Sequence, residues 1–253
     1  MKYFVITDVH GFYDEAMDAL MQAGYDMNNP DHFLISCGDM FDRGTQAKEM
    51  LDFLMSIPKE RRAYVRGNHE ELLESLVRGK RAKGIHDLRN RTVDTILQLG
   101  YSDDYKVALN RVTYDRELRE YFDSLLDYYE TKGYVFVHGW LPCIRDGYDT
   151  TGYVIKDWRT RATVEDWYDS RWVCGFDTWA RQPDAEGKTV VCGHWHTSYA
   201  HRKYHHNGYE FPSESKMVSM SECCFEPFID KGIVGLDSCT ALTKKVNVFC
   251  FEE

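Results

Sequence analysis

The sequence has little of what a membrane protein or a general nucleic-acid binder needs. It contains no run of the ~18 apolar residues that crossing a bilayer requires. Its 31 lysines and arginines are outnumbered by 41 aspartates and glutamates, which gives a formal net charge of -10. General binders of nucleic acids or membrane surfaces normally carry a basic face, so these classes are disfavoured. A small anionic substrate held by a few local arginines stays compatible with this composition.

Disulfide-forming patterns and flexible linkers are also missing. The eight cysteines are scattered without a Cys-x-x-Cys motif, and the six prolines form no Gly/Ser/Pro-rich linker. The amino-terminal segment reaches Asp8 too early for a signal peptide. We therefore expect reduced thiols in a cytoplasmic protein.

The length and the helical patterning bear on domain organisation. A chain of 253 residues forms one large domain or two small ones. Between about residues 71 and 131 the apolar spacing is helical, as in Thr92–Leu99 and Leu118–Tyr129. Strand patterns flank this stretch, so we predict a single domain over 1–253 with a helical insertion at about 71–131.

A short apolar run followed by Asp, Asn or His, with glycine alongside, occurs five times. The predicted strands and the polar residues after them are Phe4–Ile6 with Asp8 and His10, His32–Ser36 with Asp39 and Asp42, Ala63–Arg66 with Asn68 and His69, Tyr134–Val137 with His138, and Thr189–Cys192 with His194. In α/β sheets the carboxyl ends of strands converge on the ligand site. Asp, His and Asn are suitable donors for manganese, iron or zinc. One such corner is ordinary turn chemistry, but five together favour a metal site.

These blocks resemble the signature set of the calcineurin-like metallophosphoesterases. The motifs are Asp8-x-His10-Gly11, Gly38-Asp39-x-x-Asp42-Arg43-Gly44, Gly67-Asn68-His69-Glu70, His138-Gly139 and Gly193-His194. Within that superfamily the chain is most similar to the phosphoprotein phosphatase branch, especially its small bacterial and phage members. The resemblance implies a four-layer αββα sandwich, in which two mixed β-sheets are flanked by helices.

The resemblance also implies a two-metal centre. By position, Asp8 and His10 would bind the first ion, and Asp39 would bridge the two ions. Asn68, His138 and His194 would complete the second ion's ligand set. Manganese is the preferred expectation, although iron and zinc accept the same donors.

Further roles follow from the same family pattern. A hydroxide that bridges the metals would attack phosphorus in line, while His69 would protonate the leaving group and Asp42 would orient the His69 ring. Arg43 would hold phosphate oxygens. A second phosphate-binding arginine is expected, and Trp179-Ala180-Arg181 resembles the bacterial Trp-x-Arg motif. Arg181 is therefore our prediction, with Arg159 and Arg161 as its competitors.

Two features leave alternatives open. His196, in Gly193-His194-Trp195-His196, is either a further ligand of the first metal or a histidine on an exposed loop. All six tryptophans lie between Trp140 and Trp195, where they form either an aromatic wall around the substrate or ordinary core packing.

The predicted function is metal-dependent hydrolysis of phosphomonoesters, as in a serine/threonine protein phosphatase. The alternative is a nucleotide hydrolase of the diadenosine tetraphosphatase type, because related members share the whole signature. A third reading is a non-catalytic scaffold for protein binding, which is disfavoured because every expected ligand is present. The expected partner is a phosphorylated protein or a small phosphoester, and the sequence does not predict an oligomeric state.

Overall fold

The computed structural model describes residues 1–145, 151–183, 186–209 and 220–253. The strands are β1 (Lys2–Ile6), β2 (His32–Ser36), β3 (Arg62–Val65), β4 (Leu125–Leu126), β5 (Tyr129–Glu130), β6 (Tyr134–Phe136), β7 (Cys143–Arg145), β8 (Gly152–Val154), β9 (Thr189–Cys192), β10 (Phe228–Asp230), β11 (Ile233–Gly235) and β12 (Phe249–Glu252). The α-helices are α1 (Tyr13–Gln22), α2 (Ala47–Ser56), α3 (Asn68–Val77), α4 (Ile85–Arg89), α5 (Thr92–Leu99), α6 (Tyr105–Tyr114), α7 (Arg116–Ser124), α8 (Trp158–Arg161), α9 (Val164–Ser170), α10 (Gly175–Arg181), α11 (Thr197–Tyr204) and α12 (Thr240–Thr243). Within these ranges no helix combines the length and apolar character needed to cross a membrane.

Two five-stranded mixed sheets form the centre of the fold. The first has the order β12-β1-β2-β3-β4, with β1 to β4 parallel and β12 antiparallel to β1. The second has the order β10-β11-β9-β6-β5, with a parallel centre and an antiparallel strand at each edge. Strands β7 and β8 pair antiparallel in a separate two-stranded sheet.

Buried side chains fill three layers between these sheets and the helices. The layer between the sheets includes Val5, Ile35, Val65, Phe136 and Val191. One cluster packs α1, α2, α3 and α5 to α7 on the outer face of the first sheet, and another packs α9 to α11 on the outer face of the second. The alternating directions of side chains along a strand explain how one strand serves two layers. The predicted αββα sandwich is confirmed.

The predicted strands and helices agree closely with the structure except at one place. Two predicted strands, His32–Ser36 and Thr189–Cys192, and the predicted helix Thr92–Leu99 have the observed bounds. The helix predicted over Leu118–Tyr129 is wrong in its second half, because α7 ends at Ser124. Leu125 and Leu126 instead pair with Tyr64 and Val65 as β4. Tertiary strand pairing overrides the local helical pattern there.

The stretch from about 71 to 131 contains most of α3 and all of α4 to α7, followed by the short β4 and β5. Its helices contact the body of the fold, since the backbone N–H of Ala47 in α2 donates to the side-chain oxygen of Gln98 in α5 at 2.9 Å. The division into one domain with a helical insertion stays a prediction.

Candidate metal centre

The polar residues singled out by the sequence converge at the carboxyl ends of the central parallel strands. The loop after β1 carries Asp8 and His10, and the loop after β2 carries Asp39 and Asp42. These two loops are joined by backbone hydrogen bonds, including that from the His10 N–H to the Asp39 carbonyl at 2.9 Å. Helix α3 begins at Asn68, so its first turn presents Asn68 and His69 at the same edge.

Backbone conformation at this edge is unusual. Six of the site residues have a positive φ, namely Asp8, His10, Asp39, Asp42, Arg43 and His194. This left-handed region costs a residue with a Cβ about 1–2 kcal/mol. Such conformations persist where surrounding structure enforces them, and they cluster at functional sites. The concentration here therefore supports a functional role for the edge.

Glycine accompanies the polar residues because the loops pack too closely for a side chain. A Cβ added to Gly67 would lie 2.1 Å from Asp39 Oδ1 and 2.5 Å from Glu70 Oε2. A Cβ added to Gly193 would lie 2.0 Å from Asp8 Oδ2. Both contacts are far inside the van der Waals limit, so these glycines let the carboxylates approach the neighbouring backbone.

Three histidines are oriented by backbone carbonyls. His10 Nδ1 lies 2.9 Å from the Phe41 carbonyl, and His138 Nδ1 lies 2.8 Å from the Cys37 carbonyl. The His194 ring is hydrogen-bonded to the backbone of Trp172. Since a carbonyl only accepts, Nδ1 of His10 and of His138 carries the proton, and Nε2 is left with a lone pair, as in a metal-ligating imidazole.

Protonation of these rings is disfavoured. Burial lowers the pKa of His10 well below its usual value, and the charge of Arg43 lowers it further. Burial also lowers the pKa of His138, and it lowers the pKa of His194 to about 3. Neutral imidazoles at the site are therefore available as ligands at neutral pH.

Asp39 is the carboxylate common to both groups of candidate ligand atoms. One group contains His10, Asp39 and His69, and the other contains Asp39, His138 and His194. The two oxygens point to different partners, because Oδ1 lies 3.4 Å from His138 Nε2 and Oδ2 lies 3.9 Å from His10 Nε2. Burial alone would raise the pKa of Asp39, but the surrounding histidines outweigh it and lower the pKa well below the usual value. The carboxylate is therefore ionised, and its two oxygens face separate nitrogen donors.

Asp8 lies beside these groups with a second acid next to it. The Thr7 hydroxyl and the His194 backbone N–H donate to Asp8 Oδ2 at 2.7 and 3.0 Å. Burial, then the nearby charges of Asp237 and Asp39, raise the pKa of Asp8 well above its usual value. Three buried carboxylates this close together repel one another, which a bound cation would relieve.

The pair formed by Asn68 and His138 gives a direct test of whether a cation fits. Asn68 Oδ1 lies 2.8 Å from His138 Nε2. With the His138 proton on Nδ1, both facing atoms carry lone pairs, so no hydrogen bond joins them. A cation in contact with both atoms removes this repulsion. The donor set at this edge therefore fits a divalent metal.

His69 and Asp42 form a buried pair. His69 Nδ1 lies 2.7 Å from Asp42 Oδ2. Asp42 is held in turn by Thr92 and Thr95, whose hydroxyls donate at 2.7 and 3.0 Å. Burial lowers the pKa of His69, but Asp39 and then the Asp42 hydrogen bond outweigh it, so that the pKa is raised.

Arg43 lies next to His69. Arg43 Nη2 is 3.3 Å from His69 Nε2. The turn between α4 and α5 holds the Arg43 backbone, because its N–H donates to the Asn90 carbonyl at 3.0 Å and its carbonyl accepts from Arg91 Nη1 at 2.9 Å. The region predicted as an insertion thus positions a site residue.

The structure does not bring Arg181 to this edge. Arg181 is exposed at the carboxyl end of α10, where Trp179 Nε1 donates at 2.9 Å to the carbonyl of Lys231. Lys231 precedes β11, so Arg181 lies towards the amino ends of the strands, opposite the site. The prediction from the Trp-x-Arg match is corrected for this reason: α10 starts beside Gly139 but runs away from the edge.

The competing arginines are also elsewhere, and a different one is close. Arg159 pairs with Glu130 and Glu186, and Arg161 is exposed.

Arg171 is the arginine close to the site. It is buried and pairs with Glu71 and Asp127, and its charge helps lower the pKa of His138. Only the adjacent Trp172 gave a sequence signal, through its place in the tryptophan-rich stretch.

His196 belongs to neither group of candidate ligand atoms in the described chain. Its Nδ1 lies 2.8 Å from the Ser198 hydroxyl, and its ring is near enough to Asp237 to lower the pKa of that acid. Burial dominates at Asp237, however, and raises its pKa overall. The half-buried His196 is therefore not on an exposed loop, and its role as a ligand stays a prediction.

Sequence reasoning missed Glu70 as a positioning residue. Its Oε2 accepts hydrogen bonds from the backbone N–H groups of Gly67 and Asp39 at 3.0 and 2.8 Å, and its Oε1 accepts from Met40 at 2.7 Å. Glu70 thereby ties the Asp39 loop to the start of α3. A signal was present, because an acid three residues after the helix N-cap is the capping-box position.

The sequence model of the calcineurin-like phosphoesterase family matches residues 1–219. The chain belongs to this family of metallophosphoesterases. The resemblance drawn from the motifs is confirmed.

Individual relatives are more distant. The chain is 30% identical over 115 residues to the asymmetrical bis(5'-nucleosyl)-tetraphosphatase of Bacillus velezensis, and 33% identical over 101 residues to the protein of that name from Bacillus subtilis. These matches cover 43% and 37% of this chain, and 46% and 41% of the two relatives. The matched region is thus less than half the length of either relative.

Solved structures show the same fold at low identity. A cold-active protein-tyrosine phosphatase from a psychrophilic Shewanella has a TM-score of 0.54 at 16% identity, over 100% of this chain and 75% of that protein. A protein described as a candidate diadenosine tetraphosphatase has a TM-score of 0.52 at 13% identity, over 99% and 89%. These likenesses concern the fold alone.

Proposed function

We propose that this chain hydrolyses the phosphoanhydride chain of dinucleoside tetraphosphates asymmetrically, with two divalent cations at the carboxyl edge of its sheets. The observation that carries the catalytic part is Asp39, whose two oxygens face the separate nitrogen donors of His10 and His138. The nucleotide part rests on the named function of the bacterial relatives. Our preference for phosphoproteins is not confirmed, and the relatives favour the nucleotide alternative.

The ligand sets divide around Asp39. Asp8 and His10 would hold the first cation, while Asn68, His138 and His194 would hold the second. When bound, the cations supply Lewis-acid stabilisation of phosphoryl charge and a water of lowered pKa. Manganese is the metal we propose, because neutral imidazoles combined with carboxylate and amide oxygens suit it.

Although His69 falls within one ligand group by distance, we assign it to proton transfer. The Arg43 guanidinium is 3.3 Å from His69 Nε2, and a cationic neighbour disfavours a metal on that nitrogen. Asp42 holds Nδ1 and favours the protonated ring. His69 would therefore donate a proton to the departing oxygen.

Arginines provide the positive charge that a polyphosphate chain needs. Arg43, next to His69, would bind oxygens of the reacting phosphoryl group through its planar fork. Arg171 replaces Arg181 in the proposal as the second cation, because its backbone packs against Gly139, the residue after His138, and its charge helps lower the pKa of His138. Glu71 and Asp127 hold the Arg171 side chain in place.

A product assay tests the substrate class. Protein stripped by chelation and reconstituted with Mn²⁺ is given diadenosine tetraphosphate, a phosphothreonine peptide and an aryl phosphate. We expect the highest kcat/KM on the dinucleotide, with one nucleoside triphosphate and one nucleoside monophosphate formed for each water consumed. Preference for the phosphopeptide would return the assignment to protein phosphatase, and two nucleoside diphosphates as products would contradict asymmetrical cleavage.

A further inference from the structure

Two aromatic side chains from distant parts of the chain lie close together, next to His69 and His194. His86 belongs to α4, and Trp172 lies in the turn between α9 and α10. Their ring centroids are 6.4 Å apart, with an interplanar angle of 65°. We call His86 and Trp172 the rim pair.

The rim pair is connected to the site on both sides. The His86 ring is 6.4 Å from the ring of His69, and the Trp172 ring is 6.0 Å from the ring of His194. His69 is buried, whereas His86 is exposed and Trp172 is half-buried. The rim pair therefore lies between solvent and the two histidines, His69 and His194, that would surround the reacting phosphorus.

Both members are held in place by the backbone next to the site. Asn90 donates from its side chain to the His86 carbonyl at 3.1 Å, and the Asn90 carbonyl accepts from the Arg43 N–H at 3.0 Å. The Trp172 backbone is hydrogen-bonded to the His194 ring. Changes at the site and at the rim are thus mechanically linked.

Trp172 differs from most other tryptophans. Trp140, Trp158, Trp167 and Trp179 are buried in the cluster behind the second sheet. The half-buried Trp195 packs against Tyr199 in that layer. The described part of the chain therefore places one tryptophan, Trp172, against a histidine of the candidate metal centre. Most of the tryptophan-rich stretch is ordinary core.

We propose that the rim pair binds the nucleobase of the nucleotide whose phosphate occupies the metal centre, with the base stacked on Trp172 and contacted by His86. In a nucleoside phosphate the ribose separates the base from the phosphorus. A base bound at the rim pair would therefore allow its phosphate to lie next to His69 and His194. Base-on-aromatic stacking tolerates any base, because each base has a π-face. This inference rests on the proposed nucleotide hydrolysis and adds the residues that recognise the nucleoside.

The charge of the rim favours a base over another phosphate. Burial, and next the neighbouring His69, lower the pKa of His86, so its ring is neutral at neutral pH. Phosphate oxygens would find their cations deeper in the site, at Arg43 and Arg171. A neutral imidazole next to an indole offers flat surface and one hydrogen bond, which suits a heterocycle.

The test compares two anhydrides that differ in carrying a base. The Mn²⁺-loaded full chain and its variants Trp172→Ala, Trp172→Phe and His86→Ala are assayed on diadenosine tetraphosphate and on inorganic tripolyphosphate. Loss of stacking should raise KM for the dinucleotide about 10-fold or more in Trp172→Ala. The ratio of kcat/KM on diadenosine tetraphosphate to kcat/KM on tripolyphosphate should fall by a similar factor. Trp172→Phe should recover most of the ratio.

A matched control and a binding measurement complete the design. Tyr168→Ala removes an exposed aromatic side chain from α9. Its kcat/KM values on diadenosine tetraphosphate and on tripolyphosphate should stay as in the wild type. AMP should quench the fluorescence of the wild type, and this change should be absent from Trp172→Phe.

The outcomes separate the two levels of the proposal. A wild type that prefers the dinucleotide, with the same preference in Trp172→Ala and His86→Ala, overturns the rim-pair inference alone. A wild type that hydrolyses tripolyphosphate or phosphopeptide but shows no preference for the dinucleotide overturns the proposed function and the inference with it. A selective loss restored by Trp172→Phe supports both.

Discussion

His69 and Asp42 meet through a 2.7 Å contact between Nδ1 and Oδ2, and both side chains are almost completely buried. The carboxylate is fixed by two threonines of α5, so the imidazole is held with Nε2 directed towards Asp39. This arrangement leaves Nε2 as the ring nitrogen that faces Asp39 and Arg43. It links the helical segment to the chemistry of the strand edge.

His69→Asn should separate proton transfer from metal binding. Both cations should be retained, while turnover of an alkyl phosphate should fall ~100-fold, the usual scale for a lost general acid. The loss should be smaller on p-nitrophenyl phosphate, whose leaving group is stable without a proton. Steady-state rates and elemental analysis of bound metal measure both effects. Unchanged turnover of the alkyl ester would show that His69 is not the acid.

Asp42→Asn should shift the pH profile. In the proposed mechanism the protonated imidazole of His69 is the active form, and Asp42 helps hold the pKa of His69 above its usual value. Bound cations would offset the contribution of Asp39, which makes Asp42 the remaining anionic partner. Its removal should lower the His69 pKa, so the alkaline limb of kcat should move to lower pH by about one unit or more. An alkaline limb at the wild-type position would contradict this coupling.

Asp39→Asn should empty or weaken the metal pair. An amide is neutral and lacks the second anionic oxygen needed to bridge two cations. Metal content should fall below two per chain, and turnover should fall with it. Two retained ions with normal turnover would rule out the bridging role.

Arg171→Ala and Arg181→Ala form a matched comparison. Arg171→Ala should reduce kcat/KM about 10-fold or more, because phosphate oxygens lose a charged partner. Arg181→Ala should stay near the wild type, since Arg181 lies towards the opposite edge of the sheet. Because Arg171 is buried against two acids, the Tm of the Arg171→Ala variant is measured as well, to detect a loss of stability. The variant Arg171→Lys keeps the positive charge but lacks the planar guanidinium. Equal losses from both alanine variants would argue against the structural assignment.

Gly67→Ala should damage the fold at the site. The new Cβ would overlap Asp39 Oδ1 and Glu70 Oε2, so either the Asp39 loop or α3 must shift. Overpacking of this kind costs about 1–3 kcal/mol, and the metal pair should be lost as well. Gly84→Ala is the control, because among the described residues its Cβ would come within 4 Å of one atom, Asp87 Oδ2, at 3.9 Å. Denaturant unfolding and metal content measure both, and identical behaviour of the two variants would be the contradicting result.

Much of the architecture was accessible from the sequence because its signals are local. Apolar runs of strand length, each ended by polar residues and glycine, identified five strands and the edge at which they meet. Donor chemistry then indicated a metal site, since Asp, His and Asn at converging strand ends suit divalent cations. The family motifs assigned the expected positions without any coordinates.

Other features depended on tertiary structure. The pairing of Leu125 and Leu126 with β3 is a long-range contact that the helical pattern of the preceding residues conceals. The prediction that Arg181 binds phosphate was wrong for the same kind of reason. A motif match does not show in which direction the helix that carries the motif runs. Arg171 is proposed for the site because its backbone packs against Gly139, beside His138, and no motif marks it.

The sequence by itself determined the sandwich class, the donor residues and the kind of metal chemistry, because periodicity and side-chain type are written in the local order of residues. Only the tertiary structure decided that Asp39 faces two donor sets, that Glu70 joins two loops, and that His86 and Trp172 meet. These relations join residues up to 155 positions apart in the sequence, as for Asp39 and His194, and only the packing of the elements that carry them determines such distances.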